Sequence, residues 1–383
     1  MITKEIQMVD LRSQLNDIHS FIDYEFSKIL KKCDFIQGQK VRDFEENLAE
    51  WVGAKYVISC ANGTDALQLA FMALGLKPGD EVIVPTFTYV ATAEVIALLG
   101  LSPILVDVDS QTFNIDIDIV SHLITSRTKA IVPVHLYGQC ANMEQIMKFA
   151  KSHNLYVVED SAQAIGAEVK FSDGSSRKAG TIGHIGTTSF FPSKNLGCFG
   201  DGGAIFTNDD SLAAKLKMIS NHGQRIKYYH DVVGVNSRLD TMQAAILDVK
   251  LKHLNSYCQA RQKAAAYYDS ALKGVEQITI PFRSSFSTHV FHQYTIKINE
   301  QYSRDELKSY LAEKDIPSMI YYPLPLHEQK AYSKFIRKDL YYPVSTSLCN
   351  SVLSLPMHTH LRPDELEYIV DHLKRFFQIE KQV

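Results

Sequence analysis

Between residues 55 and 160 the chain alternates between two textures. "KYVIS", "DEVIVP", "SPILVDV", "KAIVPVHL" and "LYVVED" are short β-branched runs with little polar interruption. Such runs predict strands buried on both faces. Between them, "TDALQLAFMALG", "YVATAEVIALLG", "IDIVSHLITS" and "MEQIMKFAKSHN" repeat their apolar positions at helical spacing. Strands separated by helices predict βα units, hence an α/β fold with a mostly parallel central sheet flanked by helices. "TTSFF" and "GAIFTN" read as two further strands, and "SLAAKLKMISNHG" as a helix stopped by Gly223.

The texture changes at Arg238. From there to Gly274 the pattern is helical, with no internal proline or glycine. It predicts a long helix that bends or breaks near His253 and leads into a second unit. The expected domains are residues 1–254, a large α/β domain, and 255–383, a smaller C-terminal α+β domain. The second has a strand near "HQYTIKI" and helices at "SRDELKSYLAEKD" and "RPDELEYIVDHLKRFF". Both helices carry start signals: Ser303 ahead of Glu306, and a proline in the first turn of the other. "YYPLPLHEQ", Tyr321 to Gln329, is a proline-stiffened aromatic loop of the kind that covers a site.

Composition narrows the class. Hydrophobic residues make up 45% and charged residues 22% of 383, as in ordinary globular proteins. A net charge of −3 without a basic run gives no reason to expect nucleic acid. The start lacks the apolar segment of a signal peptide, and no apolar stretch is long enough to span a membrane. The six cysteines are far apart and form no C-x-x-C pair, so neither a metal site nor a disulfide framework is expected. Free thiols in a cytoplasmic setting are the simplest reading.

Open α/β sheets bind ligands beyond the carboxyl ends of their strands. After "KYVIS", Asn62, Gly63 and Thr64 open a helix, where free amides and the dipole favour an anion; a plain N-cap is the simpler alternative. After "DEVIVP", Phe87 and Tyr89 are either core or plates for a planar ligand. Asp160 closes "LYVVED" and Gln163 follows. A carboxylate there needs a partner, or it serves only as a helix cap. After "TTSFF" comes Lys194, where desolvation would lower the amine's pKa and favour imine chemistry; a lysine snorkelling to solvent is the plain alternative. The glycines after it match neither a P-loop nor a dinucleotide fingerprint, and "GTIGHIG" matches no phosphate loop. An anion-binding helix start, an aromatic plate, a buried carboxylate and a desolvated lysine together suit pyridoxal 5'-phosphate.

With "ANGTDALQLA", "GDEVIVPTFTYVATAE", "VVEDSAQAIGA", "SFFPSKNLGCFGDGGAIFTND", "VGVNSRLDTMQAAIL" and "LPMH" in this order, nearly the whole chain resembles the DegT/StrS family of sugar aminotransferases. These are pyridoxal-phosphate enzymes of the aspartate aminotransferase fold. The resemblance implies that Lys194 is the Schiff-base lysine, Asp160 the partner of the pyridine nitrogen, and Gln163 the partner of the ring hydroxyl. It implies phosphate contacts from Gly63, Thr64 and Ser189, and stacking by Tyr89. Asn236 would reach the phosphate of a neighbouring subunit, giving a homodimer with shared sites. The expected reaction takes an amino group from L-glutamate, through pyridoxamine phosphate, to a nucleotide-linked keto sugar. The expected acceptor is UDP-2-acetamido-2-deoxy-3-keto-glucuronate, used for surface polysaccharide or glycan, with Arg238 and Tyr321 among the substrate contacts. Arg238 has a plain alternative in an ion pair with Asp240 or a helix-start contact. Some uronate-acting members have His where this chain has Tyr321, which keeps 4-keto-6-deoxy sugars as the alternative acceptors. A non-catalytic regulator of the same fold is the other alternative. Phe190 and Phe191 are expected to keep the pocket dry, and the glycines after Lys194 to give clearance beside the cofactor.

Overall fold

A computed structural model of the chain describes residues 5–337 and 339–380. Two N-terminal helices, α1 (Leu11–Lys32) and α2 (Gln39–Val52), precede the α/β alternation. Then follow β1 (Tyr56–Cys60), α3 (Gly63–Leu74), β2 (Glu81–Pro85), α4 (Ala91–Leu98) and β3 (Ser102–Val106). After a short α5 (Ile117–Val120) come β4 (Thr128–Ile131), α6 (Met143–Ser152) and β5 (Tyr156–Asp160). A hairpin, β6 (Glu168–Lys170) and β7 (Ser176–Lys178), leads to β8 (Ile185–Ser189), β9 (Gly203–Thr207) and α7 (Asp210–Ile219). A second hairpin, β10 (Gln224–Ile226) and β11 (Tyr229–His230), precedes α8 (Thr241–Leu251) and α9 (Leu254–Leu272). The chain closes with β12 (Ile278–Thr279), β13 (Tyr294–Ile298), α10 (Arg304–Glu313), α11 (Pro343–Ser351), β14 (Val352–Leu355) and α12 (Pro363–Glu380).

The central sheet has seven strands in the order β1-β9-β8-β5-β4-β2-β3. Neighbours from β8 to β3 are parallel, as the unbroken apolar runs predict. The exception is β9, antiparallel to both β8 and β1. No crossover helix lies between β8 and β9. Their connection is a loop of residues 190–202, and such a link returns the chain antiparallel. That loop carries Lys194. One core lies on each side of the sheet, one including Phe44, Leu48 and Phe206, the other Leu69, Phe71 and Ile96.

The 238–274 segment breaks at Lys252 and His253, close to the expected place. Helix α9 then bridges two cores. Leu254 and Cys258 pack into the core of the large sheet. Ala264, Ala265, Tyr268 and Leu272 pack into a core built on the β12-β13-β14 sheet. Ser303 caps α10 through the Glu306 amide, as its spacing predicts. Two predicted helices are shorter than expected. The "IDIVSHLITS" helix reduces to one α-turn and a 3-10 turn, in keeping with its β-branched residues. Helix α7 ends three residues before Gly223's neighbour His222 would suggest, because Asn221 leaves it to bridge Asn236.

Candidate active site

The carboxyl ends of β1, β2, β5 and β8 open into a cleft of about 530 Å³. Gly63, Thr64, Tyr89, Asp160, Gln163, Ser189, Lys194 and Tyr321 all line it. Asn236 and Arg238 do not. They lie between the β10–β11 hairpin and α8, with Asn236 exposed. Arg238 donates to Asn221 Oδ1 at 3.1 Å, so its partner is an amide rather than Asp240.

Lys194 sits in the β8–β9 loop, and its amide donates to Phe191 O at 2.8 Å. Burial lowers its pKa to about 8, while nearby Asp160 acts in the opposite direction. The loop is fastened from several sides. Asn195 Nδ2 donates to Val290 O at 3.0 Å, Lys250 Nζ to Gly197 O at 2.7 Å, and the Phe199 amide to Gln243 Oε1 at 2.8 Å. Phe190 is fully buried and packs edge-on to Phe44, 5.5 Å between centroids. Phe191 departs from expectation: it is 53% exposed and forms part of the cleft rim. The residue following a strand end points the opposite way from its neighbour, so only one of the pair can face the core. Gly202 departs too. A side chain there would meet Leu239, Cys198 and Phe190, so its glycine serves loop packing rather than clearance in the cleft.

Asp160 is fixed by Thr92 Oγ1 at 2.7 Å and by the Ala162 amide at 3.1 Å. Gln163 is held at both ends of its amide. Its Oε1 accepts from the Tyr137 amide at 2.7 Å, and its Nε2 donates to Tyr322 Oη at 3.1 Å. Directly before Asp160, the fully buried Glu159 accepts from the amides of Gly180, Ile182 and Gly183 at 2.9, 2.7 and 2.5 Å. His135 Nε2 lies 2.9 Å from the same carboxylate. Backbone amides of "GTIGHIG" therefore converge on a carboxyl group, but it is the chain's own Glu159, and the contact anchors the end of β5.

Helix α3 begins at Gly63, with Asn62 Oδ1 accepting from the Asp65 amide at 2.8 Å. The amides of Gly63 and Thr64 lie in the first turn, where a helix has no internal acceptor for them. A Cβ at Gly63 would lie 2.6 Å from the Ser189 Cβ, so only glycine lets the helix start and the β8 end meet. Tyr89, 56% exposed, presents its ring over the opening, 6.2 Å from the Tyr322 ring. Thr88 Oγ1, His292 Nδ1 and Gln293 Oε1 are buried at the cleft wall with no hydrogen-bond partner among the described residues. An anion cradle, a fixed carboxylate, a lysine of lowered pKa and unpaired polar atoms around one cleft fit pyridoxal phosphate.

Thr92, Tyr322, His292 and Gln293 were not singled out from the sequence. Tyr322 had a signal, since it belongs to the aromatic loop expected to cover something. His292 and Gln293 reach the cleft, and Thr92 reaches Asp160, only through tertiary placement.

Comparison with known proteins agrees with this geometry. The profile of the DegT/DnrJ/EryC1/StrS aminotransferase family matches residues 16–374. The chain is 46% identical over 364 residues to UDP-2-acetamido-2-deoxy-3-oxo-D-glucuronate aminotransferase of Pseudomonas aeruginosa, covering 95% of this chain and 98% of that one. It is 44% identical to UDP-N-acetyl-3-dehydro-alpha-D-glucosamine 3-aminotransferase of Acidithiobacillus ferrooxidans, covering 97% of each. Among solved structures, NtdA of Bacillus subtilis with bound cofactor PMP superposes with a TM-score of 0.89 at 31% identity, over 98% of this chain and 86% of that one.

Proposed function

The chain belongs to the DegT/DnrJ/EryC1/StrS aminotransferase family, and from that premise we propose that it transfers an amino group from L-glutamate to a UDP-linked 3-keto sugar. The preferred acceptor is UDP-2-acetamido-2-deoxy-3-keto-glucuronate. The observation that carries this reading is Lys194, its pKa lowered by burial, sharing one cleft with Asp160, Gln163 and the start of α3. The names of the two relatives above, both acting on a UDP-linked 3-oxo amino sugar, support the choice of acceptor.

When bound, pyridoxal phosphate supplies the electron sink for amino transfer. The residues present divide the remaining work. The first-turn amides of Gly63 and Thr64, with Ser189, would hold the phosphate by charge and dipole. Asp160, oriented by Thr92, would keep a proton on the ring nitrogen. Gln163, pinned by Tyr137 and Tyr322, would hydrogen-bond the ring hydroxyl. Tyr89 would cover the ring. Lys194 would hold the cofactor through its Nζ, and its amine is the base that would move a proton at the substrate carbon.

Asn236 and Arg238 act in this reading from the neighbouring subunit of a homodimer. Asn236 reaches the partner's phosphate, and Arg238 binds the sugar carboxylate with its planar fork. The adjacent hairpin supports an interface there, since Ile226, Tyr228 and Tyr229 are 62%, 78% and 69% exposed. Among the described residues no helix is long and apolar enough to cross a membrane. Six free thiols support a reducing, cytoplasmic setting, and the product is assigned to polysaccharide or glycan synthesis.

Glutamate-dependent amination of 3-keto and 4-keto UDP-, dTDP- and GDP-sugars, followed by mass spectrometry, tests the assignment. The UDP-linked 3-keto uronate should turn over fastest. Faster turnover of a 4-keto-6-deoxy sugar would overturn the choice of acceptor.

A further inference from the structure

His292 and Gln293 are consecutive residues, yet both line the cleft. In an extended chain, neighbours point to opposite faces. The chain turns here at Phe291, whose φ of 46° lies in the left-handed region that a non-glycine residue enters at a cost. That conformation is held by its surroundings. The His289 ring stacks on Phe291 at 3.8 Å and 2°, and the Arg283 guanidinium lies 4.0 Å from its centroid. Buried Arg261 donates through Nη1 to the carbonyls of Phe291 and His292, at 3.1 and 3.2 Å.

Both side chains offer the cleft an unpaired atom. His292 and Gln293 are each 8% exposed, and neither His292 Nδ1 nor Gln293 Oε1 has a partner among the described residues. The Gln293 amide also faces the Tyr321 phenol. A buried polar atom left unpaired costs free energy unless a ligand satisfies it. The cofactor contacts proposed above come from the start of α3, the ends of β2, β5 and β8 with the residues that follow them, and the β8–β9 loop. The acceptor's keto carbon must approach Lys194, which brings the ring substituents beside that carbon to the remaining wall. We propose that His292 and Gln293 recognise the two substituents flanking the keto carbon of the sugar, the C2 acetamido group and the C4 hydroxyl, as neutral hydrogen-bonding partners. Burial and the nearby Lys194 and Arg261 cations hold the His292 imidazole well below its usual pKa, so it stays neutral beside the reacting amine. The proposal rests on reading the cleft as that of a keto-sugar aminotransferase.

Calorimetry on the full-length protein loaded with pyridoxamine phosphate tests it, with UDP and UDP-N-acetylglucosamine as probes. The sugar's share of affinity is the ratio between the two. Gln293→Leu and His292→Phe should each lower that ratio by about tenfold and leave UDP affinity within about twofold. His292→Asn should recover part of the loss. An unchanged ratio, or equal losses for both probes, overturns the proposal. If His292→Phe fails to fold, Gln293→Leu decides alone. Wild-type protein that binds both probes equally also overturns it. The glutamate-driven change in cofactor absorbance, measured separately, then shows whether the aminotransferase reading still stands.

Discussion

At the scale of the residue, the chemistry rests on how burial treats a few side chains. Lys194 is lowered from 10.5 to about 8, so below pH 8 it is mostly ammonium and above it mostly free amine. Only the free amine attacks an aldehyde. Cofactor capture by the apoprotein should therefore quicken as pH rises through about 8 and level off beyond it. Stopped-flow absorbance would show this, and a rate still climbing toward 10.5 would mean a solvated lysine. Asp160 depends on Thr92 for its orientation. Asp160→Asn should reduce turnover by about 100-fold or more, and Thr92→Val by about 10-fold, the loss expected for one hydrogen bond to a carboxylate. Steady-state kinetics with saturating cofactor would separate these from weak loading. Lys194, Asp160 and Gln163 could be placed near strand ends from the sequence, because each lies at or shortly after a run read as a strand, but it took their combination and the family resemblance to suggest one site. His292 and Gln293 were not. They reach the cleft wall next to the left-handed residue Phe291, which no local pattern announces.

At the scale of the element, the site is made where α3 meets the end of β8. Gly63 permits that approach. Gly63→Ala should force the two apart, costing about 1–3 kcal/mol and weakening cofactor binding together with it. Thermal melts with and without pyridoxal phosphate would show both losses. A variant with wild-type stability and affinity would mean the contact is slack. The parallel strands were readable from their unbroken apolar runs, and the break between α8 and α9 from an overlong helical pattern. The direction of β9 was not. Its composition matches that of its neighbours, and only the missing crossover helix in the 190–202 loop reverses it. The 180–183 turn was equally opaque, because the carboxyl that its amides bind, Glu159, comes from β5.

At the scale of the whole molecule, the cleft draws on both cores. Strand ends of the large sheet carry the residues proposed to bind the cofactor, while His292, Gln293, Tyr321 and Tyr322 enter from the segments around the smaller sheet. Asn236 and Arg238 do not line the cleft, and in the proposed homodimer a partner subunit would bring them to it. Mixing Asn236→Ala with Lys194→Ala subunits should restore part of the activity that each lacks alone, since one shared site per mixed dimer would be intact. Restoration absent from a mixture proven to exchange subunits would confine each site to one chain. The central claim is that Lys194 works in a two-step amino transfer, and its most direct test is absorbance of the protein loaded with pyridoxal phosphate. Addition of L-glutamate should bleach the visible band, and the UDP-linked 3-keto sugar should then restore it, with neither step in Lys194→Ala. A band that glutamate leaves unchanged in the wild-type protein would contradict the account.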